Sequence, residues 1–179
     1  MLCANAHLKP PAEPCNQNKT MTQTVQIANI CEFMNRHLVD VFETMLSMKV
    51  IGVPCDGVPL FDERVTGCVA FAGDHINGAV YLHLGAPFAT EISAAMLGLA
   101  PEDLGEAEVN DVVGEATNML TGGLKSWLCD SGAECAVSTP AIIRGSAFAI
   151  ETMPDVAREW LIFNCDTNRI VVEIHVKLG

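Results

Sequence analysis

The chain has 179 residues, half of them apolar, and ten Lys and Arg against twenty-two Asp and Glu give it a formal charge of −12. That length and apolar content suffice for one domain with a substantial core. The charge excludes a nucleic-acid or anionic-membrane surface, since both need clustered cations, and favours a protein partner with a basic patch.

Residues 1–22 contain Pro10, Pro11 and Pro14 and lack the apolar stretch of a signal peptide, so they read as a disordered leader before a single domain over 23–179. From Gln23 to Met48, Ile27, Ile30, Met34, Leu38, Val41 and Met45 recur at helical spacing, with Thr24 as the expected N-cap. The stretch from Ile51 to Phe61 holds Gly52, Pro54, Gly57 and Pro59 and reads as a connector. Two β-rich runs follow, Arg64 to Ala72 and Ile76 to Leu84, joined by Gly73-Asp74-His75 as a hairpin turn.

Pro87 opens a short helix to Leu97, and Pro101 to Gly105 separates it from a longer helix over Glu106 to Leu128. Four strands are then expected, over 134–138, 146–151, 159–166 and 170–177. Runs of strands and helices without strict alternation predict an α+β fold, a mostly antiparallel sheet packed against long helices. Helix-then-strands occurs twice, which suggests two pseudosymmetric halves. The β-branched run from Ile170 to Val176 is a candidate edge for pairing between subunits.

The eight cysteines form no C-x-x-C pair, and several lie in apolar segments, as buried thiols of a reducing compartment do. The five histidines show no metal-ligand spacing. No segment approaches the roughly 18 consecutive apolar residues of a membrane span, so a cytoplasmic location is expected.

Chemistry concentrates on the second long helix. At about 100° per residue, Asp111, Glu115 and Asn118 share one narrow strip, while Val109, Val112, Val113, Ala116, Leu120, Leu124 and Trp127 point broadly the opposite way. Gly122 continues the strip and Gly114 flanks it, as though a partner's backbone came close there. On these residues alone, a solvated helix face explains the pattern as well as an active site does. Neither a serine-hydrolase arrangement nor a phosphate-binding glycine loop is present.

The strip resembles that of the CheC/CheX/FliY phosphatases, which carry Asp or Ser, three residues, Glu, two residues and Asn on an exposed helix, then a proline. Here Asp111, Glu115 and Asn118 match, and Pro140 follows after residues 119–139, one residue short of the family spacing. The resemblance, closest to CheX, covers residues 24–179. It implies hydrolysis of the aspartyl phosphate of a CheY-like response-regulator receiver domain. In that role Asn118 positions the attacking water, Glu115 docks the receiver's lysine, and Asp111, Gly114 and Gly122 support the contact. No cofactor is then bound by this chain, Mg²⁺ being expected in the receiver, and a homodimer with sheets joined across subunits is implied. The alternative is a non-catalytic CheX-like module that binds a receiver or a flagellar-switch partner. Glu32 and Asn35 repeat the E-x-x-N spacing on the first helix, but Ala28 stands where an acid or serine is needed, and Asn35 is expected near the apolar face.

Overall fold

A computed structural model of the protein describes residues 25–55, 57 and 61–179. The leader and the Thr24 cap therefore lie outside the described residues. Helix α1 spans Ile27–Leu46 with Gln26 as its N-cap, and Ile30, Met34, Leu38, Val41 and Phe42 are buried. It stops where Ser47 takes a left-handed conformation, φ 52°. Strands β2 (Arg64–Ala72) and β3 (Ile76–Gly85) form the expected hairpin, closed by the Gly73 N–H donating to the Ile76 carbonyl at 2.8 Å. Helix α2 (Ala86–Leu97) ends at Gly98 with φ 66°. Helix α3 (Glu106–Asp130) begins where the Glu108 carboxylate accepts from the Gly105 N–H at 3.0 Å.

The remaining strands are β1 (Ile51–Val53), β4 (Ala136–Val137), β5 (Ala141–Gly145), β6 (Ala157–Cys165) and β7 (Asn168–Leu178). Every pairing among the described residues is antiparallel, in the order β1-β6-β7-β3-β2-β4, with β5 also on β2. Exchanging β1 with β4/β5, β2 with β6 and β3 with β7 reverses this order without changing it. The two helix-then-strands halves thus form one sheet with a pseudo-two-fold at the β3–β7 pair. The helices cover one face, where α1, α2 and α3 share a core with Val65, Val80, Leu82, Phe163, Val172 and Ile174. Among the described residues, no helix is long and apolar enough to cross a membrane.

Three expectations are corrected. The connector at 51–61 contains β1, a three-residue strand paired to β6. The strand expected at 146–151 lies instead at Ala141–Gly145, because Arg64 takes Phe148 for another use: its guanidinium stacks 3.7 Å from the ring centroid and donates to the Phe148 carbonyl. The Ile170–Val176 run is no edge. β7 sits between β3 and β6 with both faces buried, and the sheet's ends are β1 and β4/β5.

Candidate functional site

Helix α3 docks closely on the sheet. Thr117 lies over Gly67 of β2, where a Cβ would overlap its hydroxyl, and the buried Thr117 and Thr121 hydroxyls donate to the carbonyls one turn back at 2.7 and 2.9 Å. On α1's side, Gly123 lets His37 approach until its Nε2–H donates to the Met119 carbonyl at 3.3 Å. With α3 fixed on both flanks, its remaining side becomes a rigid ridge facing solvent.

The structure brings Asp111, Glu115 and Asn118 together on that ridge. Asp111 and Glu115 are exposed and Asn118 is half-buried. Among the described residues neither carboxylate has an ion-pair partner within 4.0 Å, and the Asn118 carboxamide makes no hydrogen bond. Side chains rich in bonding capacity are thus left free on a fixed backbone, so their capacity is available to a visitor.

The two glycines differ. Gly122 is open: among the described residues nothing lies within 4 Å of a Cβ placed there. Gly114 is buried, and its Cβ position lies 3.5 Å from Pro140 Cβ and 3.7 Å from Ile142 Cδ1. The expectation that a partner approaches Gly114 is therefore corrected: the chain's own β5 segment occupies that space. The shorter connector still delivers Pro140 to the ridge, where it walls the row Asn110–Gly114–Asn118. Farther along β5, Arg144 Nε donates to Asn110 Oδ1 at 2.8 Å. The strand therefore runs antiparallel to α3 alongside this row. Neither contact is visible in the sequence, since each joins residues dozens of positions apart.

The pair on α1 is arranged otherwise. Glu32 and Asn35 are both exposed, which corrects the placement of Asn35 near the apolar face; its Oδ1 lies against Gly52 of β1. Glu32 is paired with Arg36 at 3.7 Å, and Ala28 adds no polar group.

A second polar cluster, which no sequence motif signals, lies on the sheet face opposite α1, α2 and α3. His83 Nδ1 is 2.9 Å from Thr66 Oγ1, and its Nε2 is 3.1 Å from Glu173 Oε2, while Glu173 also meets Arg158 at 2.6 Å and His175 at 2.5 Å. Burial pushes the Glu173 carboxyl up, but hydrogen bonds from His83, His175 and Arg158 outweigh it and hold it below the usual carboxylate range. Burial pushes His83 down, so the imidazole is neutral and its bond to Glu173 is a hydrogen bond, not an ion pair. Thr66, His83 and Glu173 resemble a hydroxyl–imidazole–carboxylate relay, yet they are 0, 0 and 1% exposed, which closes them to any substrate. They brace β2, β3 and β7 together, with Arg158 reaching in from β6.

The described residues also form a cleft of about 640 Å³ lined by Phe61, Glu63, Gly85, Pro87, Thr167 and Arg169, and no ridge residue borders it.

Comparison with known proteins agrees with this layout. The family described as chemotaxis phosphatase CheX matches residues 65–164. No curated protein matches in sequence. Among solved structures, the chain is similar to chemotaxis protein CheX from Vibrio vulnificus, with 28% identity over 86% of this chain and 100% of that one and a TM-score of 0.74. It is also similar to a CheC-like superfamily protein from Shewanella sp. PV-4, with 29% identity, 83% and 97% coverage and a TM-score of 0.72. Its fold further matches a chain of the CheX–CheY–BeF3–Mg²⁺ complex from Borrelia burgdorferi at 20% identity, 82% and 96% coverage and a TM-score of 0.64.

Proposed function

The chain belongs to the CheX family of chemotaxis phosphatases, and we propose that it hydrolyses the aspartyl phosphate of a CheY-like receiver domain with the Asp111–Glu115–Asn118 ridge. The observation that carries this reading is the pairing, on one exposed helical strip, of a carboxylate at 115 and a carboxamide at 118 that, among the described residues, have no ion-pair or hydrogen-bond partner. The Borrelia complex, in which a CheX is held with CheY, BeF3 and Mg²⁺, supports a receiver as the partner.

An acyl phosphate is already activated, and the receiver supplies both the phosphoaspartate and its Mg²⁺. What remains is to hold one water in line with the departing carboxylate oxygen. The Asn118 Oδ1 accepts a hydrogen bond from that water and orients its lone pair at phosphorus, without titrating. The water–phosphorus bond forms as the phosphorus–carboxylate bond breaks, releasing inorganic phosphate and the free aspartate. Positioning of this kind acts by removing the entropy of a bimolecular encounter. Glu115 takes the receiver's lysine in a charge-assisted contact, which registers the two surfaces. Asp111, one turn earlier, adds to the anionic face that meets the receiver's lysine, and open Gly122 leaves room for the partner's backbone.

Phosphate release from a phosphorylated receiver, compared between wild type and Asn118→Ala, tests the reading. Equal rates would remove Asn118 from the chemistry. Tight binding without accelerated release by the wild type would make the chain a non-catalytic receiver-binding module. We also propose a homodimer joined at a sheet end, β1 or β5. Ile51 of β1 is 57% exposed there, and light scattering reads the mass directly.

A further inference from the structure

Arg144 is the only cation on β4, β5 and the first half of α3. Its Nε–H donates to Asn110 Oδ1 at 2.8 Å, which fixes the guanidinium beside the helix. That bond uses one of five donors, and among the described residues nothing else takes the terminal fork. Among the described residues no carboxylate lies within 4.0 Å of it. In a chain with twenty-two acids, a half-buried arginine is held in place by an amide and pairs with no acid among the described residues.

Its position is what gives it meaning. Asn110, Gly114 and Asn118 form one i,i+4 row, so the guanidinium stands about 12 Å along the helix axis from Asn118. A receiver that keeps Mg²⁺ at its phosphorylation site must surround that site with carboxylates, because this hard cation takes oxygen ligands. An acidic ridge entering such a rim meets like charge, which opposes docking.

We infer that Arg144 is a docking residue that takes a carboxylate on the receiver's rim in a bidentate contact, with Asn110 as the positioning residue that holds its plane. This rests on the receiver-phosphatase reading above. A bidentate match of guanidinium to carboxylate adds direction as well as attraction. With Glu115 seeking a cation and Arg144 an anion, the ridge is electrostatically polar along its length. A receiver is then accepted in one orientation, the one that brings its phosphoryl group to Asn118.

The test uses the full chain with a receiver activated by BeF3⁻ and Mg²⁺ for binding, and with the phosphorylated receiver for turnover. Arg144→Gln is expected to raise Kd and KM about tenfold, with kcat within about twofold of wild type and a flatter dependence of Kd on salt. Arg144→Lys keeps the charge and loses the fork, and Asn110→Ala frees the guanidinium; each is expected to raise Kd about threefold. A purely structural role would instead lower Tm and kcat together, and lysine would not restore the salt dependence. Wild-type Kd in Arg144→Gln, or a fall in kcat at unchanged KM, would overturn the proposal. If Arg144→Gln matches wild type while Asn118→Ala is inactive, only the role of Arg144 fails. If wild type neither binds nor dephosphorylates any receiver of a panel, the phosphatase reading falls and this proposal with it.

Discussion

Thr117 rests on Gly67 so closely that a Cβ at position 67 would lie 2.9 Å from the threonine Cβ and 3.1 Å from the Val113 carbonyl oxygen. The neighbour of the proposed catalytic amide is therefore the residue that seats α3 on the sheet. Gly67→Ala should force the helix outward and destabilise the fold by about 1–3 kcal/mol, as overpacking does. Urea unfolding measures the loss. Turnover should fall with it, because the ridge moves when its seat does.

Asn118→Ala should lower kcat for phosphate release by about 100-fold, the scale on which positioning effects operate. Binding of the BeF3⁻-activated receiver should stay within about twofold, since the carboxamide acts on water more than on the partner. A large rise in Kd at unchanged kcat would reassign the residue to docking.

Glu115→Lys should weaken receiver binding by about tenfold or more, because it sets a like charge against the receiver's lysine. Glu115→Gln should lose less. Folding should be untouched by either, as the side chain is exposed and has no ion-pair partner among the described residues; thermal melts check this.

The Glu173 cluster makes stability acid-sensitive. Because the folded carboxyl titrates below its usual range, its contribution is complete above pH ~4.5 and is lost as pH falls through the folded value. The depressed His83 acts in the same direction: below pH ~6.5 the unfolded chain takes up a proton that the folded imidazole refuses. Unfolding midpoints should fall steadily from about pH 6.5 downward. Glu173→Gln should remove about 2–3 kcal/mol, somewhat less than a fully buried pair because the Arg158 side chain is 31% exposed, and should flatten the acid limb. Equal slopes in the variant and wild type would assign the pH dependence elsewhere.

Gly122→Ala should raise helix stability by up to about 1 kcal/mol, since the position is helical and has open space beside it. Gly122→Leu should leave stability similar and weaken receiver binding, if the partner's backbone closes here. Calorimetry and titration separate the two effects.

Where the signal was local, the sequence was readable. The 3.6-residue period marked α1 and α3, alternation and a glycine turn marked β2–β3, and the spacing of Asp111, Glu115 and Asn118 placed all three on one strip. Non-local structure was not readable in the same way. β7 is apolar on one face and carries Glu173 and His175 on the other, an alternation that reads as a half-exposed strand until His83 and Arg158, elsewhere in the chain, are seen to cover the Glu173 carboxylate. Ser146 to Glu151 alternates like a strand, yet Phe148 serves as a pad for Arg64. Pro140 against Gly114 and Arg144 on Asn110 were hidden for the same reason: no periodicity reports which strand will lie beside a helix.

The reversible strand order has a consequence for biosynthesis. β3 emerges early, but its central partner β7 comes from residues 168–178, so a nascent chain carries an unsatisfied row of amides and carbonyls in the middle of its future sheet. Until those residues leave the ribosome, neither half can close, and the ridge has no firm floor. Chaperones that mask exposed strands should therefore matter more for this topology than for one that zips up from its first hairpin.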